Sequence, residues 1–392
     1  MRAIDDLTVP RAGAETARWL YGEYLRHLTA RFVALSDRAP GLEPVTRWAK
    51  ELLAARRPGA LFAALRLPTV SVLVRLVDGA LARGEHPHPA ICGELAALVS
   101  LELALGGELP AAPLELPCPP ILCALGARRA IALPSGALLG CGPNGAEVST
   151  GGVRLRLDQA ELDPPLVDLH GYHALDADLV FATVDNNPLA GVEAHPEKAG
   201  SRVDLGGHDT GTWLSSLEAA LSIIREHLPE LARELALAST QLIPVGFSRE
   251  RHESASYAEA VGSLYLSLHP DPLTLAEALI HEHSHGKLNA LSALGPLLES
   301  TGETFTSPVR PDPRPLHGVL LAVHAFVPVA VLYERMRSAR DPQALTPAAE
   351  RRFRQVLQNN REGTRTLLEH ARPSAAGAAL LAELRRWDQH FA

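Results

Sequence analysis

One segment announces both of its ends. Asp271-Pro272-Leu273-Thr274 supplies a capping carboxylate followed by proline at the first helical position, and Gly295-Pro296 supplies a stop. The residues between, 272 to 294, are therefore expected to form one long helix, and whatever the chain folds into must be built around it. The helix carries His281-Glu282-His283-Ser284-His285 in its middle. At 3.6 residues per turn His281 and His285 lie one above the other, so two imidazoles can face one cation with Glu282 beside them. His283 points about 160° away by the same geometry and is a bystander. The apolar pair Leu279-Ile280 just before the motif argues against a solvent-facing histidine patch; two satisfied core histidines are the bland alternative.

This is the spacing of H-E-x-x-H metal sites, where the glutamate commonly takes a proton from metal-bound water. The extended form of the motif would place glycine and histidine at positions 288 and 291; leucine stands at both, which excludes that subclass. A third ligand must come from elsewhere. Glu299, Glu303 and Glu334 are unconvincing, whereas the apolar helix expected at 316–336 offers His324, with His317 close behind on the same face. A buried His324 could equally bond a neighbouring carbonyl.

The rest of the chain reads as α+β: mainly helical, with a small central β-sheet and a C-terminal helical metal-binding domain. Only 5% of the 392 residues are aromatic while alanine and leucine abound, which favours helices. Residues 1–105 show helical periodicity, for example over 16–35 and 48–64, and form an N-terminal helical domain. A proline-rich linker at 106–120 opens a β-rich region, 106–207, with strands expected at 130–133, 153–157 and 179–184. Helices return in the catalytic segment 208–392, at 214–237, 272–294, 316–336 and 348–371, with a strand at 263–268.

A formal charge of −8 leaves no basic face for nucleic acid or an acidic membrane. The charged, proline-containing start is not a signal peptide, and the apolar run 319–332 is short for a bilayer and contains His324 and Pro328, so a cytoplasmic protein without a membrane span is expected. Four cysteines without a C-x-x-C pair read as buried thiols.

HEHSHGKLNALSAL followed by SPVRPDPRPLHGVLLAVHAF resembles the H-E-x-x-H peptide-modification family, in particular its α-ketoglutarate-dependent peptide β-hydroxylases. VDNNPLAGVEAHPEKAG, the nearby DLGG and Trp213, and GSLYLS extend the similarity over roughly 184–337. The resemblance implies an iron(II)- and α-ketoglutarate-dependent dioxygenase that hydroxylates a β-carbon of a ribosomally made precursor peptide, with the leader of that peptide as a candidate handle, in natural-product biosynthesis. It implies His281 and His285 as iron ligands, His324 or His317 as the third, and Arg314 in PDPRPL as the partner of the cosubstrate carboxylate. Glu282 would then orient a ligand or peptide group, and Asn187, His195 and Lys198 mark a polar edge where substrate could bind. Two alternatives stand beside it: a zinc peptidase with Glu282 as general base, and a non-catalytic peptide-binding relative.

Overall fold

The computed structural model describes residues 6–11, 13–36, 38–157, 161–176, 178–191, 201–250, 252–307 and 312–392. The protein is mixed α/β and 51% helical, with eleven helices and several small sheets among the described residues. Two compact units emerge: one comprises Leu25–Ala174 and Val180–Val203, the other Met1–Tyr24, Leu175–Leu179 and Asp204–Ala392.

Five helices come first: α1 (Glu15–Ala34), which runs across the boundary between the units, α2 (Glu43–Ala54), α3 (Gly59–Leu65), α4 (Pro68–Ala82) and α5 (Pro89–Leu105). The periodicity at 48–64 suggests one helix, but Arg56 takes a left-handed φ of 57° and Pro58 follows, so the chain turns between α2 and α3. Helix α5 is apolar on every side, and Leu95 to Ala104 are all buried, as a helix enclosed by its neighbours must be. Nine short strands follow: β1 (Leu114–Pro117), β2 (Ile121–Ala124), β3 (Arg129–Ala132), β4 (Leu138–Gly142), β5 (Gly145–Thr150), β6 (Val153–Arg156), β7 (Val167–Asp168), β8 (Tyr172–Ala174) and β9 (Val180–Ala182). They make an antiparallel sheet in the order β1-β4-β5-β6, a second in the order β2-β3-β7, and the hairpin β8-β9. Alternate residues of β4 and β5, Leu139, Cys141, Ala146 and Val148, turn inward, so one face of that sheet is core.

The second unit contains α6 (Thr210–His227), α7 (Pro229–Ala238), β10 (Gln241–Phe247), β11 (Ser254–Ala255), β12 (Ser263–Leu268), α8 (Pro272–Leu294), α9 (Leu316–Ser338), α10 (Pro347–His370) and α11 (Ala375–His390). The single helix expected at 214–237 is broken by Pro229, which removes an amide and starts α7 afresh. Strand β10 has no counterpart in the sequence reading. It pairs in parallel with β12, and its internal Pro244 is accommodated where the register shifts between Pro244 and Phe247. Every residue of β12 is buried, while the two-residue β11 pairs antiparallel along its other side.

Residues near the amino terminus belong to this unit for a definable reason. The buried Glu383 carboxylate of α11 accepts the backbone N–H groups of Leu7 and Thr8 at 3.0 and 2.9 Å, satisfying three polar groups that the core would otherwise strand. Helix α9 is longer than the apolar run within it and is by length and composition able to cross a bilayer, but 78% of its most apolar window is buried inside the protein. It packs against α8 and α10 as the central helix of the unit.

Candidate metal centre

Helix α8 starts and stops where its sequence says. The Asp271 carboxylate accepts the amides of Leu273 and Thr274, Pro272 occupies the first turn, and Gly295 ends the helix. One turn apart in its middle, His281 and His285 bring their Nε2 atoms to 2.9 Å, with the rings nearly perpendicular at 79°. Together with Glu282 they form a group whose donor atoms all lie within 4.8 Å of one another.

Burial pushes the His281 imidazole well below its ordinary range, helped by the neighbouring His285 and the Arg352 guanidinium; burial likewise lowers His285. Both rings are therefore neutral at physiological pH, and each can offer a lone pair. Two metal–nitrogen bonds of about 2.0–2.1 Å meeting at a right angle hold their donors about 2.9 Å apart, against about 3.3 Å at the tetrahedral angle. The observed spacing thus fits a site with open positions at least as well as a closed tetrahedral one.

Glu282 is 3% exposed. Ser254 of β11 donates to its Oε1 at 2.6 Å, and Oε2 is buried without a hydrogen-bond partner. A buried carboxylate oxygen left unpaired is costly unless something else fills its coordination, and a cation or its water does so. On the other side Phe326 of α9 lies against His281, ring centroids 4.5 Å apart, and Arg352 stacks over Phe326 at 5.4 Å. Arg352 is itself paired with Glu277 at 2.8 Å, and Tyr333 donates to the same carboxylate. The Nδ1 atoms of His281 and His285 are buried and lack hydrogen-bond partners, so packing rather than a carbonyl sets these rings.

The other face of α8 is built differently. Lys287, completely buried, pairs with Glu234 of α7, and His283 Nε2 lies 3.7 Å from the same carboxylate. Burial works against ionisation of Glu234, yet Lys287 and His283 together hold its carboxyl below the usual range. His283 is thus occupied away from its two neighbours.

His324 is fully buried, but it is not part of the three-residue group. Its surroundings are Lys287, His285, His283 and the Leu7 backbone, and neither ring nitrogen has a well-formed hydrogen bond. His317 is exposed on the surface of α9, and it too stands outside the group. Arg314 lies 2.8 Å from Asp312, in a short bridge between Arg314 and Phe305. Asn187 belongs to the other unit, where its side chain accepts the amide of Leu189 and its own amide donates to Asp185 Oδ1, which is turn chemistry. His195 and Lys198 lie outside the described residues.

Two site neighbours have no signal in the sequence: Ser254, and His252 two residues before it. Neither belongs to a motif, and the pairing of β11 with β12 is what brings Ser254 to Glu282. No family model matches the chain, and no curated protein matches it.

Proposed function

We propose that the chain is an iron(II)- and α-ketoglutarate-dependent dioxygenase that hydroxylates a β-carbon of a ribosomally made precursor peptide, with its metal in the helical C-terminal part. The observation that carries the metal reading is the convergence of two neutral imidazole nitrogens, 2.9 Å apart, on a buried carboxylate with one unpaired oxygen. The likeness of the motifs at 281–294 and 307–326 to the peptide β-hydroxylases carries the choice of iron and cosubstrate. Iron(II) with α-ketoglutarate supplies the activation of dioxygen, with the overall balance of peptide C–H, α-ketoglutarate and dioxygen going to peptide C–OH, succinate and carbon dioxide.

The chain's own residues have narrower tasks. His281 and His285 hold the metal. The candidates for a third donor, His324 and His317, stand outside the group that Glu282 forms with the pair and would have to move toward it. Ser254 fixes the Glu282 carboxylate by its Oε1. Phe326 closes the side of the site over His281 and keeps water from that ring. Arg314, released from Asp312, would bind the cosubstrate carboxylate. We place the enzyme in the cytoplasm, with the precursor peptide, held in part by its leader, as its partner.

A zinc peptidase is the second reading, and the free Oε2 of Glu282 favours it, because a base needs one oxygen held and one available. The two separate in one assay. Anaerobically purified protein given iron(II), α-ketoglutarate, air and a panel of ribosomal precursor peptides is expected to form succinate and to add one oxygen to a peptide of the panel. Cleavage of the peptide with zinc and no cosubstrate, abolished by Glu282→Gln, would establish the peptidase instead; binding without turnover under either condition would leave a peptide-binding relative.

A further inference from the structure

Resting on the metal reading above, we propose that His252 is a protein ligand of the same metal, delivered by the edge strand rather than by a helix.

The local backbone aims it there. Ser267 donates its amide to the Glu253 carbonyl and Glu253 donates its own to Ser267 Oγ, both at 2.8 Å, so the chain runs along β12 before β11 formally begins. In extended chain alternate residues share a face, and Ser254 is in contact with Glu282; His252, two positions earlier, is therefore turned the same way while Glu253 faces solvent.

The ring itself is prepared as ligand rings are. A histidine that binds metal almost always has its other nitrogen fixed by a backbone carbonyl or a carboxylate, which sets tautomer and orientation. His252 hydrogen-bonds the Ser267 backbone and has a buried Nε2 with no partner. Among the helical candidates, the Nδ1 atoms of His281 and His285 are unpartnered, and His324 meets the Leu7 backbone without a well-formed hydrogen bond at either nitrogen. His252 stands outside the 4.8 Å group, so coordination draws the short edge strand toward α8. Strand β11 is short, pairing Ser254 with Leu266 and Ala255 with Tyr265 and continuing through the Glu253–Ser267 bonds, so closure requires this edge segment to shift as a unit.

Copper(II) loading gives a readout independent of turnover. The nitrogen couplings in the electron paramagnetic resonance spectrum count imidazoles on the ion, and competition with a chelator gives the affinity for zinc. Wild-type protein is expected to show three nitrogens, His252→Phe two, with zinc affinity lowered by about 100-fold or more, beyond what loss of an outer partner usually costs. His252→Asp replaces the ligand by a carboxylate and is expected to recover affinity while still showing two nitrogens, which a structural role would not do. His317→Ala is expected to keep three. Two nitrogens in the wild type, or three with unchanged affinity in His252→Phe, would overturn the proposal with the two-histidine site intact. No copper or zinc bound by the wild type would instead remove the site on which it rests.

Discussion

The two faces of α8 both bury polar groups, and they bury them in opposite ways. On one, Lys287 and Glu234 neutralise each other and His283 leans on the pair, so that charge meets charge even though Glu234 Oε1 and His283 Nε2 have no hydrogen bond. On the other, His281, Glu282 and His285 converge with Glu282 Oε2 and both Nδ1 atoms unsatisfied. An ion pair met within the protein holds a fold together, whereas polar groups gathered with no opposite charge are candidates for a ligand, as the proposed metal would be. The contrast predicts that mutations on the first face act on stability and those on the second act on metal uptake.

The largest effect is expected from Lys287→Met. It leaves Glu234 charged and alone in the core, a loss of about 3–5 kcal/mol by urea unfolding of metal-free protein. Replacing Glu234 by Leu in the same chain should restore most of it, since the pair as a whole is worth little against apolar packing. If the single variant were as stable as wild type, the pair would not be the structural half of the comparison.

A third buried carboxylate, Glu102 of α5, sharpens the point because it has backbone amides but no cation. Burial raises it from 4.5 to about 7, against the pull of the Gly126 and Leu125 amides. Its folded pKa is above its unfolded one, so its contribution is fully present below about pH 4.5 and is lost as pH rises through about 7. Glu102→Gln, which does not ionise, should therefore gain about 3 kcal/mol on the wild type between pH 4 and pH 8. Melting curves at the two pH values read that change, and a constant difference would show that the site is not desolvated.

Much of this was written in the sequence, for local reasons. The cap at Asp271-Pro272, the stop at Gly295 and the one-turn spacing of His281 and His285 are properties of a few consecutive residues, and they place the helix and its pair. Proline also explains the two errors of helix length: Pro58 and Pro229 end helices that periodicity alone runs together. What was not legible depends on distant strands meeting. Ser254 reaches Glu282 through β-pairing with β12, and the hold of Glu383 on Leu7 and Thr8 joins residues from opposite ends of the chain. His324 sits in an apolar helix near the motif but outside its group, because periodicity gives the face of a helix and not which neighbour that face meets.

Smaller effects probe the other face. Ser254→Ala leaves Glu282 Oε1 buried without its donor, which should cost about 1–2 kcal/mol in metal-free protein. Less of that loss is expected once metal is added, because the ion takes over part of the carboxylate's coordination. His281→Ala should change the stability of metal-free protein least, by about 1 kcal/mol or less, since the ring has no hydrogen bond to lose other than that with His285. A large destabilisation there would mean that the pair is core packing after all.

The most direct test is metal content. Protein purified without oxygen, loaded with iron(II) and desalted, is expected to hold one iron per chain. The folded His281→Ala/His285→Ala double variant is expected to hold none. Equal iron in the two proteins, or none in either at any metal concentration, would contradict the account.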